Sequence, residues 1–301
     1  MPTVRANGID ISFESEGERG DPALLLVNGY TAQLVQWERG LLREFADRGF
    51  RVVIFDNRDV GCSSWFDKVA TNLGDIMRAR REHRDARSLA PYTLSDMAAD
   101  AVGLLDALSI EAAHVAGASM GGMIAQTIAI EHPTRVLSLA SIMSNTGEPA
   151  YGRSSDAANA ALMQLPPPDR EAYLRHVVEQ DAIWASRNHR DPELVRARAA
   201  RAFDRAFHPA GAGRQLAAIM ASGDRATGLV GLRVPTVVIH GRHDNLIALS
   251  GGERTAALVP DARLLVLEGM GHDLPAPLWP AIVDAIVANA ERGGFQPRAA
   301  R

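Results

Sequence analysis

The sequence predicts an α/β protein with a mostly parallel sheet, on the basis of three observations. Continuous apolar runs, such as residues 23–27 and 51–56, are typical of strands buried on both faces of a parallel sheet. Segments with apolar residues at three- and four-residue steps alternate with these runs, which indicates crossover helices. The chain has 301 residues, 47% of them hydrophobic, which is enough for one large core domain with a modest insertion.

The elements of the first half can be placed in order along the chain. A strand-like alternation turns near Asn7-Gly8 and predicts an antiparallel hairpin. Apolar periodicity predicts a helix from Gln33 to Arg48, between the two buried strands already named. Residues 67–91 are rich in charge and poor in pattern, so no element is predicted there.

The second half continues the alternation after a helix over 93–108, for which Thr93 is the predicted N-cap. The remaining elements are a strand ending at 118, a helix to about 131, strands at 136–143, 236–241 and 262–268, and helices at 249–258 and 278–291. With the hairpin, this makes eight strands. The sequence therefore predicts an eight-stranded sheet with helices on both faces.

One region interrupts the alternation. Residues 146–232 contain helical patterns but no convincing strand, which predicts a helical cap inserted between two strands. The predicted division is a first core segment at 1–145, the cap at 146–232 and a second core segment at 233–301. Trp184, Met163 and Met220 either line a pocket beneath the cap or belong to its core.

Composition and charge exclude several classes of function. The formal net charge is −4 and there is no basic stripe, so no nucleic-acid partner is expected. There is no run of 18 apolar residues and no signal-like N-terminus, so we expect a cytoplasmic protein without a membrane span. Cys62 is the only cysteine, which rules out an intrachain disulfide and a cysteine-based metal site. Nothing in the sequence indicates an oligomeric state.

The most informative stretch is HVAGASMGGMIAQ, residues 114–126, in which Ser119 lies between Gly117 and Gly121. G-x-S-x-G between a strand and a helix predicts a sharp turn that lifts the serine hydroxyl above the sheet. The backbone of that serine is strained, so its neighbours must be small. This context favours a nucleophile, and the alternative is a serine that only caps the following helix.

A nucleophilic serine needs a base and an orienting acid. His272 follows the last predicted strand and precedes a helix, at the edge of the sheet where catalytic groups gather. Asp244 follows the preceding strand, and the order Ser119, Asp244, His272 is the order typical of hydrolases with this turn. Asp273 is a rival acid, although its adjacency to His272 makes the required contact awkward. The cap histidines are predicted to lie on the surface: His176, His189 and His208.

Two backbone amides are candidates for an oxyanion hole. The amide of Met120 is at the start of the helix that follows Ser119, where free N–H groups favour negative charge. The amide of Tyr30 follows Asn28-Gly29 at the end of a buried strand. Because Gly29 allows a tight turn, this loop can bring the Tyr30 amide to the same site, and the alternative is a turn without a role.

These motifs together resemble the α/β-hydrolase-fold serine hydrolases over nearly the whole chain. The matching segments are Gly117-Ala-Ser-Met-Gly121, Gly241-Arg-His-Asp244, Gly271-His272 and the D-x-R-x-x-G-x-S loop at 56–63. Within that superfamily, the loops are similar to the aclacinomycin methylesterase group and related bacterial carboxylesterases. The family commonly has His-Gly where this chain has Asn28-Gly29, so we expect a shifted hydrogen-bond network there. Ser119 argues against the dehalogenases and epoxide hydrolases of this fold, which use Asp as the nucleophile.

The resulting hypothesis is a cofactor-free and metal-free serine esterase. Its substrate is expected to be a small-molecule ester with an apolar moiety. The same residues would also suit acyl transfer, lactone or thioester cleavage, or perhydrolysis. A ligand-binding protein on a hydrolase fold is the alternative from another class, since fold does not fix function.

Overall fold

The computed structural model describes residues 1–298. Its strands are β1 (Thr3–Ala6), β2 (Ile9–Glu16), β3 (Ala23–Val27), β4 (Arg51–Phe55), β5 (Ala113–Ala118), β6 (Val136–Ile142), β7 (Thr236–Gly241) and β8 (Arg263–Leu267). Its helices are α1 (Arg39–Asp47), α2 (Leu73–Arg81), α3 (Leu94–Ala107), α4 (Met120–Glu131), α5 (Asp156–Leu162), α6 (Arg170–Trp184), α7 (Pro192–Arg205), α8 (Ala210–Ala221), α9 (Ala226–Val230), α10 (Ser250–Leu258) and α11 (Trp279–Arg292). The last three residues of the predicted second core segment, 299–301, lie outside the described residues.

The strands form one eight-stranded sheet in the order β1-β2-β4-β3-β5-β6-β7-β8. β1 pairs with β2, and β2 with β4, in antiparallel fashion, whereas the pairs from β4 to β8 are parallel. The predicted mostly parallel sheet of the α/β-hydrolase fold is therefore confirmed. Because the parallel strands share one direction, the carboxyl ends of β3, β5, β7 and β8 lie at the same edge.

Helices cover both faces of this sheet, as predicted. Side chains alternate along each strand, so neighbouring residues of β3 and β4 belong to different layers. One layer packs Leu25 and Val53 against α3 and α4, and the other packs Leu24 and Val52 against α1 and α11. All residues of β3 and β4 are buried, which explains why their sequences are continuous apolar runs.

The predicted helix over 33–48 is shorter than expected, because hydrogen bonds from polar groups replace the α-helical bonds of its first residues. A 3-10 turn spans Leu34–Gln36, and α1 begins only at Arg39. The Gln33 side chain donates to the carbonyls of Ala202 and Ala206, while the Leu34 amide donates to Asp56. These contacts come from residues distant in sequence, so helical periodicity alone could not show them.

Two further elements differ from the sequence-based expectation. α2 lies in the region left without a prediction, where the Asn72 side chain accepts from the amides of Gly74 and Asp75 and caps the helix. β8 is also an apolar run in the sequence, a pattern typical of a buried strand, but it is the edge strand and Leu264 is 39% exposed. An apolar run therefore did not distinguish a central strand from an edge strand.

Five helices, α5 to α9, connect β6 to β7. α6 packs against α5 and α7, and α7 packs against the 3-10 turn at Leu34–Gln36. α8 packs against α2, while α9 packs against α4 and α10. Across residues 1–298, no helix combines the length and apolarity needed to cross a membrane.

Candidate active site

Three side chains that are far apart in sequence meet at the carboxyl edge of the sheet. Ser119 follows β5, Asp244 follows β7 and His272 follows β8. The Ser119 hydroxyl oxygen lies 2.9 Å from Nε2 of His272, and Nδ1 of His272 lies 2.7 Å from Oδ2 of Asp244. The structure thus brings together the three residues that the sequence predicted, in one continuous hydrogen-bonded chain.

The backbone at Ser119 has the strain expected of the serine turn. Its φ is 58° and its ψ is −122°, a region that L-residues rarely adopt. The turn is possible because the residues two positions before and two positions after Ser119 are glycines. A Cβ at Gly117 would overlap the Gly121 carbonyl, and a Cβ at Gly121 would overlap the carbonyl of Val27. Both glycines are therefore required by sterics, as the motif predicted.

The carboxylate of Asp244 is buried and held by its own loop. Its Oδ1 accepts from the amides of Leu246 (2.9 Å) and Ile247 (2.8 Å), while its Oδ2 faces His272. Burial alone would raise its pKa, but the neighbouring His272 and His240 outweigh burial and lower the pKa of Asp244 to about 2. Asp244 is therefore ionised at neutral pH.

The loop that carries His272 is anchored to the end of α6. The His272 amide donates to the Trp184 carbonyl at 2.7 Å, and the Gly271 amide donates to Oγ of Ser186 at 2.9 Å. Asp273 accepts from the amide of Ser186 at 2.9 Å and from the hydroxyl of the same residue. The rival acid is thus engaged in anchoring the loop, while Asp244 faces the imidazole.

Two backbone amides next to the serine turn are candidates for an oxyanion hole. A Cβ at Gly29 would lie 3.2 Å from the Cβ of Ser119, so the loop after β3 passes directly beside the serine. Within residues 1–298, the N–H groups of Tyr30 and Met120 have no hydrogen-bond acceptor. Both amides are therefore free to donate to a ligand, and their role as oxyanion donors remains a prediction. Burial raises the pKa of the Tyr30 side chain to about 12, which keeps its hydroxyl protonated.

Across residues 1–298, the hydrogen-bond network around Asn28 does not use its side-chain nitrogen. The backbone carbonyl of Asn28 accepts from Asn57, but Nδ2 of Asn28 is buried without a partner in the described chain. The loop is held instead by Gln215 of α8, which accepts from the Thr31 amide and donates to the Arg58 carbonyl, both at 2.8 Å. Gln215 lies far away in the sequence, and no local motif indicated this contact.

A cavity of about 540 Å³ opens beside Ser119 and His272. Its walls come from the core and from α6, α7 and α8, and they are mainly apolar. The apolar lining includes Met120, Met123, Met143, Val177, Trp184, Val195, Phe203, Phe207, Leu216, Ile219 and Ile247. Of the three residues considered from the sequence, Trp184 lines this cavity, Met163 is exposed, and Met220 packs on the cluster formed by α2 and α8.

The charged side chains of the cavity wall have protein partners. Glu38 pairs with Arg198 at 3.3 Å, and Asp181 pairs with Arg190 at 2.8 Å. Asp59 forms two hydrogen bonds of 2.8 Å with the guanidinium of Arg214. Since Arg198 is already paired, the described part of the wall offers no unpaired arginine to an anionic ligand.

Two histidines of the segment at 146–232, which the sequence predicts on the surface, lie at the cavity. His208 stacks on Trp65 with ring centroids 4.0 Å apart, and its Nε2 lies 3.1 Å from Asp67. His176 also lines the cavity, and burial lowers its pKa below the usual value. No motif in the sequence indicates either position, because His176 is one of many polar residues of α6 and His208 lies in the connection between α7 and α8.

Comparison with known proteins agrees with this geometry. The model of a family described by the alpha/beta hydrolase fold matches residues 22–275. The chain belongs to the α/β-hydrolase family. This membership confirms the resemblance drawn from the sequence motifs and the expectation that the chain is a hydrolase.

Similar proteins include esterases and lactonases. A rhodomycin D methylesterase from Streptomyces sp. (strain C5) is 27% identical, over 96% of this chain and 98% of that protein. The 3-oxoadipate enol-lactonase 2 of Acinetobacter baylyi is 26% identical, over 88% of each chain. Among solved structures, the enol-lactonase from Burkholderia xenovorans LB400 has a TM-score of 0.73 at 21% identity, covering 96% of this chain and all of that one, and it supports the fold.

Proposed function

We propose that this α/β-hydrolase is a serine esterase that hydrolyses carboxylic esters through an acyl-enzyme. The observation that carries the proposal is the hydrogen-bonded chain from Ser119 through His272 to Asp244. Two free amides, those of Tyr30 and Met120, accompany it. Nucleophile, base, orienting acid and oxyanion donors are the four parts that acyl transfer needs.

The proposed reaction has two halves. Ser119 attacks the ester carbonyl while Nε2 of His272 takes its proton, and the oxyanion is stabilised by the two amides. The imidazolium, held by Asp244, then protonates the leaving alcohol. In the second half His272 removes a proton from water, which attacks the acyl-enzyme and releases the acid and the free serine. Each step uses groups of this chain and water.

The cavity supports a substrate with a bulky, apolar and uncharged acid part. Helices of the segment at 146–232 form much of its wall, and we propose that this segment acts as a cap. An anionic acid part would have to be desolvated among carboxylates that already have partners, which is unfavourable. The similarity to a methylesterase further supports a small alcohol such as methanol as the leaving group.

The first test is covalent labelling with a fluorophosphonate, a probe that reacts with activated serines. We expect the wild type to be labelled and Ser119→Ala to remain unlabelled. Ser154→Ala is the matched control, because Ser154 lines the same cavity but its hydroxyl donates only to the Leu246 carbonyl. Labelling of Ser119→Ala would contradict the proposed nucleophile.

The second test is turnover of methyl esters that share one alcohol and differ in the acid. We expect the methyl esters of apolar aromatic acids to be hydrolysed. Their kcat/KM should be at least about tenfold above that of half-esters with a free carboxylate. A matched lactone series distinguishes ester from lactone hydrolysis. If the wild type is not labelled and no ester is turned over, the site is not catalytic and the binding-protein alternative gains support.

A further inference from the structure

Asp244 has a second histidine beside it, which the reaction described above does not use. His240 lies near the end of β7 and is fully buried. Its Nε2 is 2.8 Å from the carbonyl oxygen of Ile247 and 3.5 Å from Oδ2 of Asp244. Both neighbours of this nitrogen are therefore hydrogen-bond acceptors.

The surroundings of the ring indicate which of its nitrogens donates a hydrogen bond. Since Nε2 faces two acceptors, it carries the proton and donates it. Nδ1 of His240 is buried and has no partner within residues 1–298. It is closed off by α10, where a Cβ at Gly252 would lie 2.5 Å away. A proton on Nδ1 would lack an acceptor among the described residues, so Nε2 is the nitrogen that donates to the Ile247 carbonyl.

We propose that His240 is a positioning residue for Asp244, an inference that rests on the proposed esterase function. His240 donates to the carbonyl of Ile247, whose own amide donates to Oδ1 of Asp244. It thereby closes the turn from 244 to 247 and holds the carboxylate in line with Nδ1 of His272.

The expected effect of removing the donor follows from this arrangement. His240→Met introduces an apolar side chain of similar length, which fills the space but leaves the Ile247 carbonyl without its donor. The turn then loosens and Asp244 no longer fixes the imidazole. We expect kcat to fall by about 10- to 100-fold, by analogy with residues that orient metal-bound histidines. KM is expected to change little, because His240 does not line the cavity.

A conservative variant distinguishes positioning from packing. In His240→Gln the side-chain amide nitrogen is as many bonds from the backbone as Nε2 of histidine, so it can donate to Ile247. We expect this variant to recover most of kcat. The matched control is His114→Met, which removes another buried histidine of the same sheet, one that bonds Ser138 at 2.8 Å near the start of β5. This control is expected to lose stability but to keep its kcat.

The measurement is kcat and KM on a methyl ester, normalised to the active sites labelled by a fluorophosphonate, together with the thermal unfolding midpoint of each variant. Proton NMR adds a readout that does not depend on ester turnover, namely the downfield resonance of the His272 Nδ1–H, assigned by its loss in His272→Gln. We expect His240→Met to broaden or shift this resonance, and His240→Gln to restore it.

Three outcomes would overturn the proposal. One is a normal kcat and a normal NMR resonance in His240→Met. Another is equal damage in His240→Met and His240→Gln, and the third is an equal kcat loss in the His114→Met control. Failure of the esterase proposal is distinguishable, because the wild type would then neither label nor turn over, while the NMR comparison would still report on Asp244 and His272.

Discussion

Replacing Asp244 by Asn should inactivate the protein without unfolding it. The new side chain can keep the loop hydrogen bonds of Asp244, but only with its amide oxygen in the position of Oδ1. Oδ1 of Asp244 accepts from two backbone amides, so the amide oxygen of the Asn must take that position. Its NH2 group then points at Nδ1 of His272. That nitrogen must become an acceptor, which moves the imidazole proton to Nε2.

The wrong tautomer removes the general base. Nε2–H would donate to the Ser119 hydroxyl at the 2.9 Å contact and could not take its proton. For a triad of this kind the loss in kcat is about 10⁴-fold, or ~5 kcal/mol of transition-state stabilisation. The NH2 group would also face the Nε2–H of His240, because in the native protein Oδ2 of Asp244 lies 3.5 Å from that nitrogen.

The assay is steady-state hydrolysis of a methyl ester, with circular dichroism as the check on folding. Asp273→Asn is the matched control, because Asp273 adjoins His272 but accepts from Ser186. We expect this control to lose no more than a few-fold in kcat. A folded Asp244→Asn variant with more than about one tenth of the native kcat would refute the tautomer argument. A loss of about 10⁴-fold in Asp273→Asn alone would assign the role to the rival acid.

Three further substitutions test separate parts of the structure. In Gly29→Ala the new Cβ would lie 3.2 Å from the Cβ of Ser119, so the loop and the serine must move apart by a few tenths of an ångström. In the steady-state assay kcat should fall, by at most the roughly 10²–10³-fold that complete loss of one oxyanion donor costs. In Gly117→Ala the Cβ would overlap the Gly121 carbonyl, and thermal denaturation should show a large loss of stability or no folded protein. Burial lowers the pKa of His114 to about 4, below the unfolded value of about 6.5, so the folded state resists protonation. The free energy of unfolding should therefore drop by up to ~3 kcal/mol as pH falls from about 6.5 to about 4, and urea titrations of His114→Met should show a smaller dependence.

The parts of the site that could be predicted are those with a local steric cause. Gly117 and Gly121 are four residues apart, and each excludes a side chain from a backbone contact within the same turn or the adjoining strand. The apolar runs of the parallel strands likewise placed Asp244 and His272 at the carboxyl edge of the sheet, although β8 is a partly exposed edge strand. These signals depend on a few neighbouring residues, so they are visible in one sequence.

The parts that could not be predicted depend on pairs that are distant in sequence. Gln215 braces the loop after β3 through the Thr31 amide, and the Trp184 carbonyl anchors the His272 loop. Neither residue belongs to a motif, because a glutamine or a backbone carbonyl on a helix has no distinctive spacing. The position of His208 at the cavity was missed for the same reason.

Substitutions at the catalytic residues and substitutions in the cavity wall should therefore have different effects. The serine turn is built from contacts within the core, and the Asp244 carboxylate is held by amides of its own loop, so changes there alter the chemistry whatever the substrate. The cavity wall is shared between the core and α6 to α8, and its shape is set by how the helices pack on the sheet. Changes at Phe203 or Val177 should therefore redistribute kcat/KM among esters while leaving fluorophosphonate labelling intact. Trp184 is the exception, because it lines the cavity with its side chain and holds His272 through its carbonyl, so helix α6 connects substrate shape to the position of the base.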